Sequence, residues 1–134
     1  MIPDLPRLNS DVCRVLIIAI NDSPGQEVCG FLVSHGGRIS FRRLPNLGGA
    51  GEFWVDQECL DRVLRHISST DGVIIGFIHS HMAGINLSFA DESSIENSSW
   101  PWLVITLHEK TIVGNWYWKD SSGICSSPLQ KLNV

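Results

Sequence analysis

One stretch of the chain, residues 74–91, limits its possible folds more than any other. An apolar run from Val73 to Ile78 is typical of a buried strand, and it ends in His79-Ser80-His81. Because alternate residues of a strand point to the same face, the two imidazoles are predicted to project side by side at the strand end. After a short loop, the sequence Ser88-Phe89-Ala90-Asp91 is typical of a helix start.

These residues predict a metal site. Asp91 falls in the first turn of the predicted helix, where its carboxylate faces back toward His79 and His81. Two histidines and one carboxylate, with water in the fourth position, form the ligand set of a catalytic rather than a structural zinc. Ordinary alternatives exist for each part. A histidine in an apolar strand is usually a hydrogen-bonded core or surface residue, and Ser-x-x-Asp is also a helix capping box that needs no metal.

A second stretch, Glu27 to Val33, reads EVCGFLV. The two stretches together resemble the JAMM (MPN-plus) metallopeptidase family, which carries a Glu shortly before a Cys-Gly-Leu-Leu-like strand, then His-x-His, then Ser-x-x-Asp. Between these motifs, members often have an Asn, a Phe and an acidic residue before a helix. This chain has Asn46, Phe53 and Asp56 there, and the resemblance spans roughly residues 10–118.

The chain departs from the family pattern between the predicted ligands. Met82 stands where a proline usually follows the second histidine, and Leu87 stands where a proline often precedes the serine. The spacer from Met82 to Leu87 is also one residue shorter than expected. These departures concern the geometry of the loop and leave the ligand types unchanged.

The resemblance implies a role for each site residue: His79, His81 and Asp91 hold Zn²⁺, Glu27 is the general base, and Ser88 stabilises the oxyanion. Zinc lowers the pKa of a bound water to about 7, and a neighbouring carboxylate can pass the proton to a leaving amine. Residue type alone does not separate Glu27 from the chain's other candidate glutamates, which are Glu52, Glu58, Glu92, Glu96 and Glu109. Its place before the Cys-Gly pair matches the family's catalytic Glu. Ser88 is a helix N-cap in either interpretation.

Composition predicts one domain over residues 1–134, with an irregular arm at 1–8 and a tail at 120–134. The net charge is −4 and no basic cluster extends beyond Arg42-Arg43, so no nucleic-acid partner is expected. The apolar run Val15–Ile20 is too short to span a membrane, and no basic segment precedes it to make a signal peptide. Four cysteines without a Cys-x-x-Cys pair indicate reduced thiols in a cytoplasmic protein.

The pattern of apolar residues predicts an α/β fold in which helices flank a mixed sheet. The predicted elements are a helix ending near Asn21, strands 27–35 and 38–44, a helix 56–69, the His-x-His strand, the Ser88 helix, and strands 103–107 and 111–118. The resemblance implies an MPN (cytidine-deaminase-like) fold with a curved sheet. The sequence Trp116-Tyr117-Trp118 alternates faces on the last of these strands, which predicts exposed aromatic side chains there.

The resemblance implies a zinc isopeptidase that cleaves after the C-terminal tail of a ubiquitin-like protein, with the tail bound as an extended strand along a sheet edge. The short chain is similar to bacterial members of ubiquitin-like conjugation systems, some of them in antiviral defence, whose conjugation enzymes would be further partners. Processing of a sulfur-carrier protein and a non-catalytic MPN scaffold are the alternatives. An unrelated His/His/Asp zinc hydrolase is a third, whereas a zinc deaminase would need His-x-Glu and Cys-x-x-Cys motifs, which this sequence lacks.

Overall fold

A computed structural model describes residues 4–48, 54–82 and 84–131. Its helices and strands, in chain order, are α1 (Ser10–Asn21), β1 (Cys29–His35), β2 (Arg38–Leu44), α2 (Gln57–Ser69), β3 (Val73–Ser80), α3 (Phe89–Glu96), β4 (Trp102–His108), β5 (Thr111–Asp120) and β6 (Gly123–Pro128). The predicted α/β class is confirmed. Glu52 and Phe53 lie outside the described residues, as does Ala83 of the Met82–Leu87 spacer.

The six strands form one mixed sheet in the order β2-β1-β3-β4-β5-β6. Only β3 and β4 run parallel; the other neighbouring strands are antiparallel. A parallel pair needs a crossover connection, and α3 lies in the segment that supplies it. This crossover carries Ser88 and Asp91 in the segment that follows the histidine-bearing end of β3.

Each helix begins at a side-chain cap that the sequence indicates. Asn9 Oδ1 accepts the Val12 N–H at 2.9 Å, and Asp56 Oδ2 accepts the Cys59 N–H at 3.1 Å. Ser88 Oγ accepts the Asp91 N–H at 3.1 Å. Such caps are worth about 1 kcal/mol each, because they satisfy amide groups that the first helical turn leaves without partners.

Both faces of the sheet are covered, and each has its own hydrophobic core. On one face Ile78 and Trp116 pack with α1 residues such as Leu16; on the other, Phe77 and Tyr117 pack with residues of α2 and α3. The prediction of exposed aromatic residues on β5 is therefore wrong. Trp116 and Tyr117 are buried and Trp118 is partly buried, because a strand covered on both faces has no solvent side.

The two ends of the described chain meet at the edge of the sheet. Leu8 is fully buried and its N–H donates to the Gln130 carbonyl at 3.2 Å, so the predicted arm is anchored at its last residue. The predicted tail contains β6, which pairs with β5 from Asn115↔Pro128 to Asp120↔Gly123. Among the described helices, none has the length and apolar character needed to cross a membrane.

Gly114 provides a test of this packing. It lies opposite Ile105 in the β4–β5 ladder, and a Cβ at this position would come 2.6 Å from the Val104 carbonyl oxygen. We expect Gly114→Ala to lower the free energy of unfolding by about 1–3 kcal/mol, because backbone must shift to relieve the clash. Denaturant titration measures the loss. Val113→Ala, at a 38% exposed neighbouring position, is the control and should change stability much less.

Candidate metal centre

The pairing of β1 with β3 places Glu27 beside the histidines. Cys29 lies opposite His79 in this antiparallel pair, and Glu27 precedes Cys29 by two residues on the chain. Ser80 continues the pairing past the end of β1: its N–H donates to the Val28 carbonyl, and its Oγ accepts the Val28 N–H, both at 2.8 Å. These two bonds fix the backbone next to Glu27.

The predicted start of the first strand at Glu27 is wrong by two residues, since β1 begins at Cys29.

Asn46 supports Glu27 from the opposite side. Its Nδ2 donates to the Glu27 carbonyl at 2.8 Å, while its Oδ1 accepts the N–H groups of Gly48 and Trp54 at 2.8 and 2.9 Å. One side chain thereby joins the Glu27 backbone to the loop that leads to α2. An Asn side chain that bonds the amide two residues ahead is typical of a turn. This turn preference of Asn46 is the signal in the sequence that could have indicated its role beside Glu27.

The start of α3 contributes Asp91 and Ser88. The two form a full capping box: Ser88 Oγ accepts the Asp91 N–H at 3.1 Å, and Asp91 Oδ2 accepts the Ser88 N–H at 3.0 Å. The same Oδ2 also lies 3.0 Å from Nε2 of His81. Capping and contact with the histidines are therefore compatible here, because the carboxylate reaches both partners at once.

Four of the five predicted site residues meet in a largely buried cluster at the end of β3. Asp91 Oδ1 lies 3.2 Å from His79 Nε2, and Glu27 Oε1 lies 3.6 Å from His79 Nδ1. The two imidazole rings have centroids 4.7 Å apart. His79 is 1% exposed and Asp91 4% exposed. Ser88 is at the solvent-exposed edge of this cluster.

The environment of the cluster shifts two pKa values. Burial by itself lowers the pKa of His79, but the neighbouring Asp91 and Glu27 carboxylates outweigh burial and raise that pKa above its ordinary value. Burial raises the pKa of Asp91, but hydrogen bonds with His79, His81 and the Ser88 N–H hold that pKa well below its usual range. The cluster therefore favours an ionised Asp91, the form that binds a cation.

The donor set fits a zinc ion. In a tetrahedral zinc shell, bonds of about 2.0–2.2 Å place neighbouring donor atoms about 3.3–3.6 Å apart. One Asp91 oxygen lies 3.2 Å from His79 Nε2 and the other lies 3.0 Å from His81 Nε2, close to these separations. Imidazole and carboxylate are borderline and hard ligands that suit zinc, and no thiolate lies among these residues.

A second donor set shares the two histidines. One ligand atom each from Glu27, His79 and His81 lie within 4.8 Å of one another. The contacts of His79 separate the two sets, because its Nε2 faces Asp91 whereas its Nδ1 faces Glu27. The contacts of Asp91 with the histidines are the shorter ones, and both histidines present the same nitrogen to it.

The cluster opens into a groove of about 1230 Å³ between α2, α3 and the sheet. Glu27, His81, Ser88 and Asp91 are among the residues that line it. The remaining described lining is mostly apolar: Phe31, Leu44, Trp54, Val55, Leu60, Phe77, Met82, Asn86, Leu87, Ala90, Ser94, Ser98, Trp100 and Trp102. The site is therefore open to a large ligand on one side.

The loop from Met82 to Leu87 is held from outside the motif. Tyr117 donates its O–H to the Ile85 carbonyl at 2.9 Å, although 32 residues separate the two. Met82 is 56% exposed directly after His81, and Gly84 adopts a φ of 72°. The Met82–Leu87 loop lacks the two prolines of the family pattern, whose rings would restrict its backbone. A hydrogen bond to Tyr117 of β5 holds this loop instead.

Comparisons with known proteins support the fold. No protein-family model matches the sequence, and no curated protein matches it. The structure is similar to the solution structure of a protein from Desulfitobacterium hafniense, with a TM-score of 0.76, 18% identity, and coverage of 96% of this chain and 93% of that one. It is also similar to a JAB1/MPN domain protein from Archaeoglobus fulgidus, with a TM-score of 0.60, 13% identity, and coverage of 96% and 100%. The chain has an MPN-like fold.

Proposed function

We propose that this protein is a zinc-dependent peptidase of the JAMM type, with the metal held by His79, His81 and Asp91. The observation that carries the proposal is the convergence of these three side chains with Glu27 beside a groove that Glu27, His81 and Asp91 line, within an MPN-like fold. When bound, zinc would supply Lewis-acid activation of water and of a scissile carbonyl.

Glu27 is the proton carrier in this proposal. Its carboxylate is 6% exposed and lies beside His79 at the groove wall, where it can take a proton from water and deliver it to the leaving amine. The backbone bonds of Ser80 and Asn46 hold it in position. A pre-positioned base needs no reorganisation during the reaction.

Ser88 is the oxyanion donor in this proposal. The Ser88 Oγ accepts a hydrogen bond from the Asp91 N–H, and this bond does not use the hydroxyl's own proton. The hydroxyl can therefore still donate a hydrogen bond toward the groove. Ser88 also lines the groove and is solvent-exposed, which places it within reach of a substrate carbonyl. Hydrogen bonds aimed at a developing oxyanion lower the barrier to amide hydrolysis strongly, because the donors are in place before the charge develops.

The proposed substrate is an amide at the end of a ubiquitin-like tail, in a cytoplasmic bacterial conjugation system. A large, open and apolar groove suits a peptide segment better than a nucleotide, since the net charge is −4 and the described lining carries no lysine or arginine. Processing of a sulfur-carrier protein would use the same chemistry on a similar tail.

Cleavage of a fusion protein tests this function. Ubiquitin-like proteins from bacterial conjugation operons would each be fused through the C-terminal tail to a short fluorescent extension and incubated with the zinc-loaded enzyme. We expect release of the extension after the last residue of the tail, read by mass spectrometry. The chelated enzyme should release none and should recover on addition of zinc.

Two outcomes would contradict the proposal. Release by the chelated enzyme would show that the hydrolysis needs no metal. Tight binding of a fusion protein without cleavage, by protein shown to contain zinc, would favour the scaffold alternative instead. The zinc-loaded, chelated and zinc-restored samples come from the same purified chain, so differences between preparations cannot produce either result.

A further inference from the structure

The groove beside the proposed metal centre has an aromatic floor built by strand register. Phe31 lies opposite Phe77 in the β1–β3 pair, and Phe77 lies beside Trp102 in the β3–β4 pair. Their ring centroids are 5.6 and 4.7 Å apart, and Trp100 lies 5.3 Å from Phe31. We call the part of the cavity lined by these four residues and by Trp54, Leu60, Ala90 and Ser94 the aromatic trough.

The aromatic trough continues directly from the metal centre. His79 follows Phe77 by two residues and therefore points to the same face of β3, and its ring centroid lies 5.5 Å from that of Trp102. His81, Ser88 and Asp91 line the same cavity as the aromatic rings. A substrate amide held at the centre must therefore extend its neighbouring residues over this floor or out to solvent.

The charges of the cavity exclude one type of ligand. In the described lining, the only acidic side chains are Glu27 and Asp91, and no lysine or arginine is present. Away from the proposed metal, a free carboxylate or phosphate would have no positive partner among the described lining residues. The cavity suits an uncharged segment around an internal amide.

The size and lining suit a large side chain. Typical pockets for small ligands have volumes of about 300–1000 Å³, and this cavity of about 1230 Å³ is larger. Phe77 and Trp102 are only 7% and 6% exposed and Trp100 is half-buried, so a tail of glycines alone would leave mainly the ring of Trp100 in contact with water. An aromatic side chain would instead meet several rings at the edge-to-face separations seen within the floor.

We infer that the aromatic trough receives an aromatic or large aliphatic side chain of the substrate, within three residues of the scissile amide. This inference rests on the proposed peptidase function and adds its specificity: an internal amide next to a bulky apolar residue is preferred over a glycine-only tail and over a free C-terminus.

A set of quenched fluorescent peptides tests the preference. One Phe is moved through the three positions on each side of the scissile bond in a Gly/Ser background, and each peptide is compared with its Phe→Gly and Phe→Glu versions. We expect Phe to raise kcat/KM at least about tenfold at one position, because several methylene equivalents are buried there. Glu at that position should give cleavage no faster than Gly.

A substitution that fills the aromatic trough, compared with the same substitution outside it, provides a matched pair of variants. Ser94 lines the wall from an exposed position on α3, whereas Ser93 is exposed on the same helix and lies outside the cavity. Ser94→Phe should lower the Phe-to-Gly ratio of kcat/KM by at least about fivefold, since the added ring occupies the subsite. Ser93→Phe adds the same ring elsewhere and should keep the ratio.

A binding measurement separates this inference from the function on which it rests. Trp54, Trp100 and Trp102 line the trough, so the intrinsic fluorescence of Glu27→Gln protein should change on titration with the Phe peptide and not with the Gly peptide. Equal cleavage of Phe and Gly peptides by an active enzyme would overturn the inference and leave the function standing. If the wild-type protein cleaves nothing, the function fails, and the fluorescence titration alone decides whether the trough binds apolar side chains.

Discussion

Replacing Glu27 with glutamine should lower amide hydrolysis at least about 10²-fold and leave zinc content and thermal stability unchanged. The substitution keeps the shape of the side chain and removes the group that accepts a proton, and general acid–base catalysis contributes about 10²–10⁴-fold. The Glu27 backbone should stay in place, because its carbonyl is bonded by Asn46 and the adjacent Val28 by Ser80.

Three measurements on the same preparation check this prediction: kcat/KM on a cleavable fusion, zinc by metal analysis, and the midpoint of thermal unfolding. Glu96→Gln, at an exposed position at the end of α3, is the charge-matched control and should match wild type in all three. Unchanged turnover in Glu27→Gln would mean that another group is the base. A large fall in the unfolding midpoint would mean that the buried carboxylate is structural.

Local signals in the sequence predicted much of the fold. The bounds of β2 were predicted fully, and the predicted helix 56–69 differs from α2 by one residue at its start, because caps and alternating patterns act within a few residues. The proximity of His79, His81 and Asp91 was also predicted from local signals. Strand alternation places the two histidines on one face, and the first turn of the following helix brings Asp91 to them.

The rest of the site depends on contacts between distant parts of the chain. Ser80 bonds Val28 across 52 residues, and Tyr117 bonds Ile85 across 32. Neither serine nor tyrosine carries a sequence signal for such a partner. The aromatic trough likewise requires the register of three strands, of which one pair is parallel. Periodicity predicts that Phe77 faces a core, but strand order decides which rings lie beside it.

The prediction that two of the aromatics Trp116, Tyr117 and Trp118 are exposed on one face of β5 was wrong for a related reason. Alternation says that neighbouring residues face opposite sides of a sheet, and it does not say whether each side is covered. Here α1 covers one side, and α2 and α3 cover the other. The number of covered faces is a property of the tertiary fold, which the pattern along one strand does not contain.

Removal of one proposed ligand should abolish metal binding. We expect wild type to hold about one zinc per chain, with nitrogen ligands at about 2.0–2.1 Å by X-ray absorption, and His81→Ala to hold almost none. His81 is 12% exposed and contributes its Nε2 to the cluster. His108→Ala, at an exposed position at the end of β4, is the matched control and should retain the zinc. Equal zinc content in wild type and His81→Ala would remove the site.

Asp91→Ala decides between the two donor sets. If the metal is held by His79, His81 and Asp91, zinc is lost in Asp91→Ala and retained in Glu27→Gln. If it is held by Glu27, His79 and His81 instead, zinc is retained in Asp91→Ala and lost in Glu27→Gln. Because Asp91 is also half of a capping box, its removal should cost about 1 kcal/mol of stability in addition. Ser88→Ala separates the two effects, since it breaks the same cap and leaves all the proposed ligands. Loss of zinc in Ser88→Ala as well would mean that the order of the helix start, rather than the Asp91 carboxylate itself, controls metal binding.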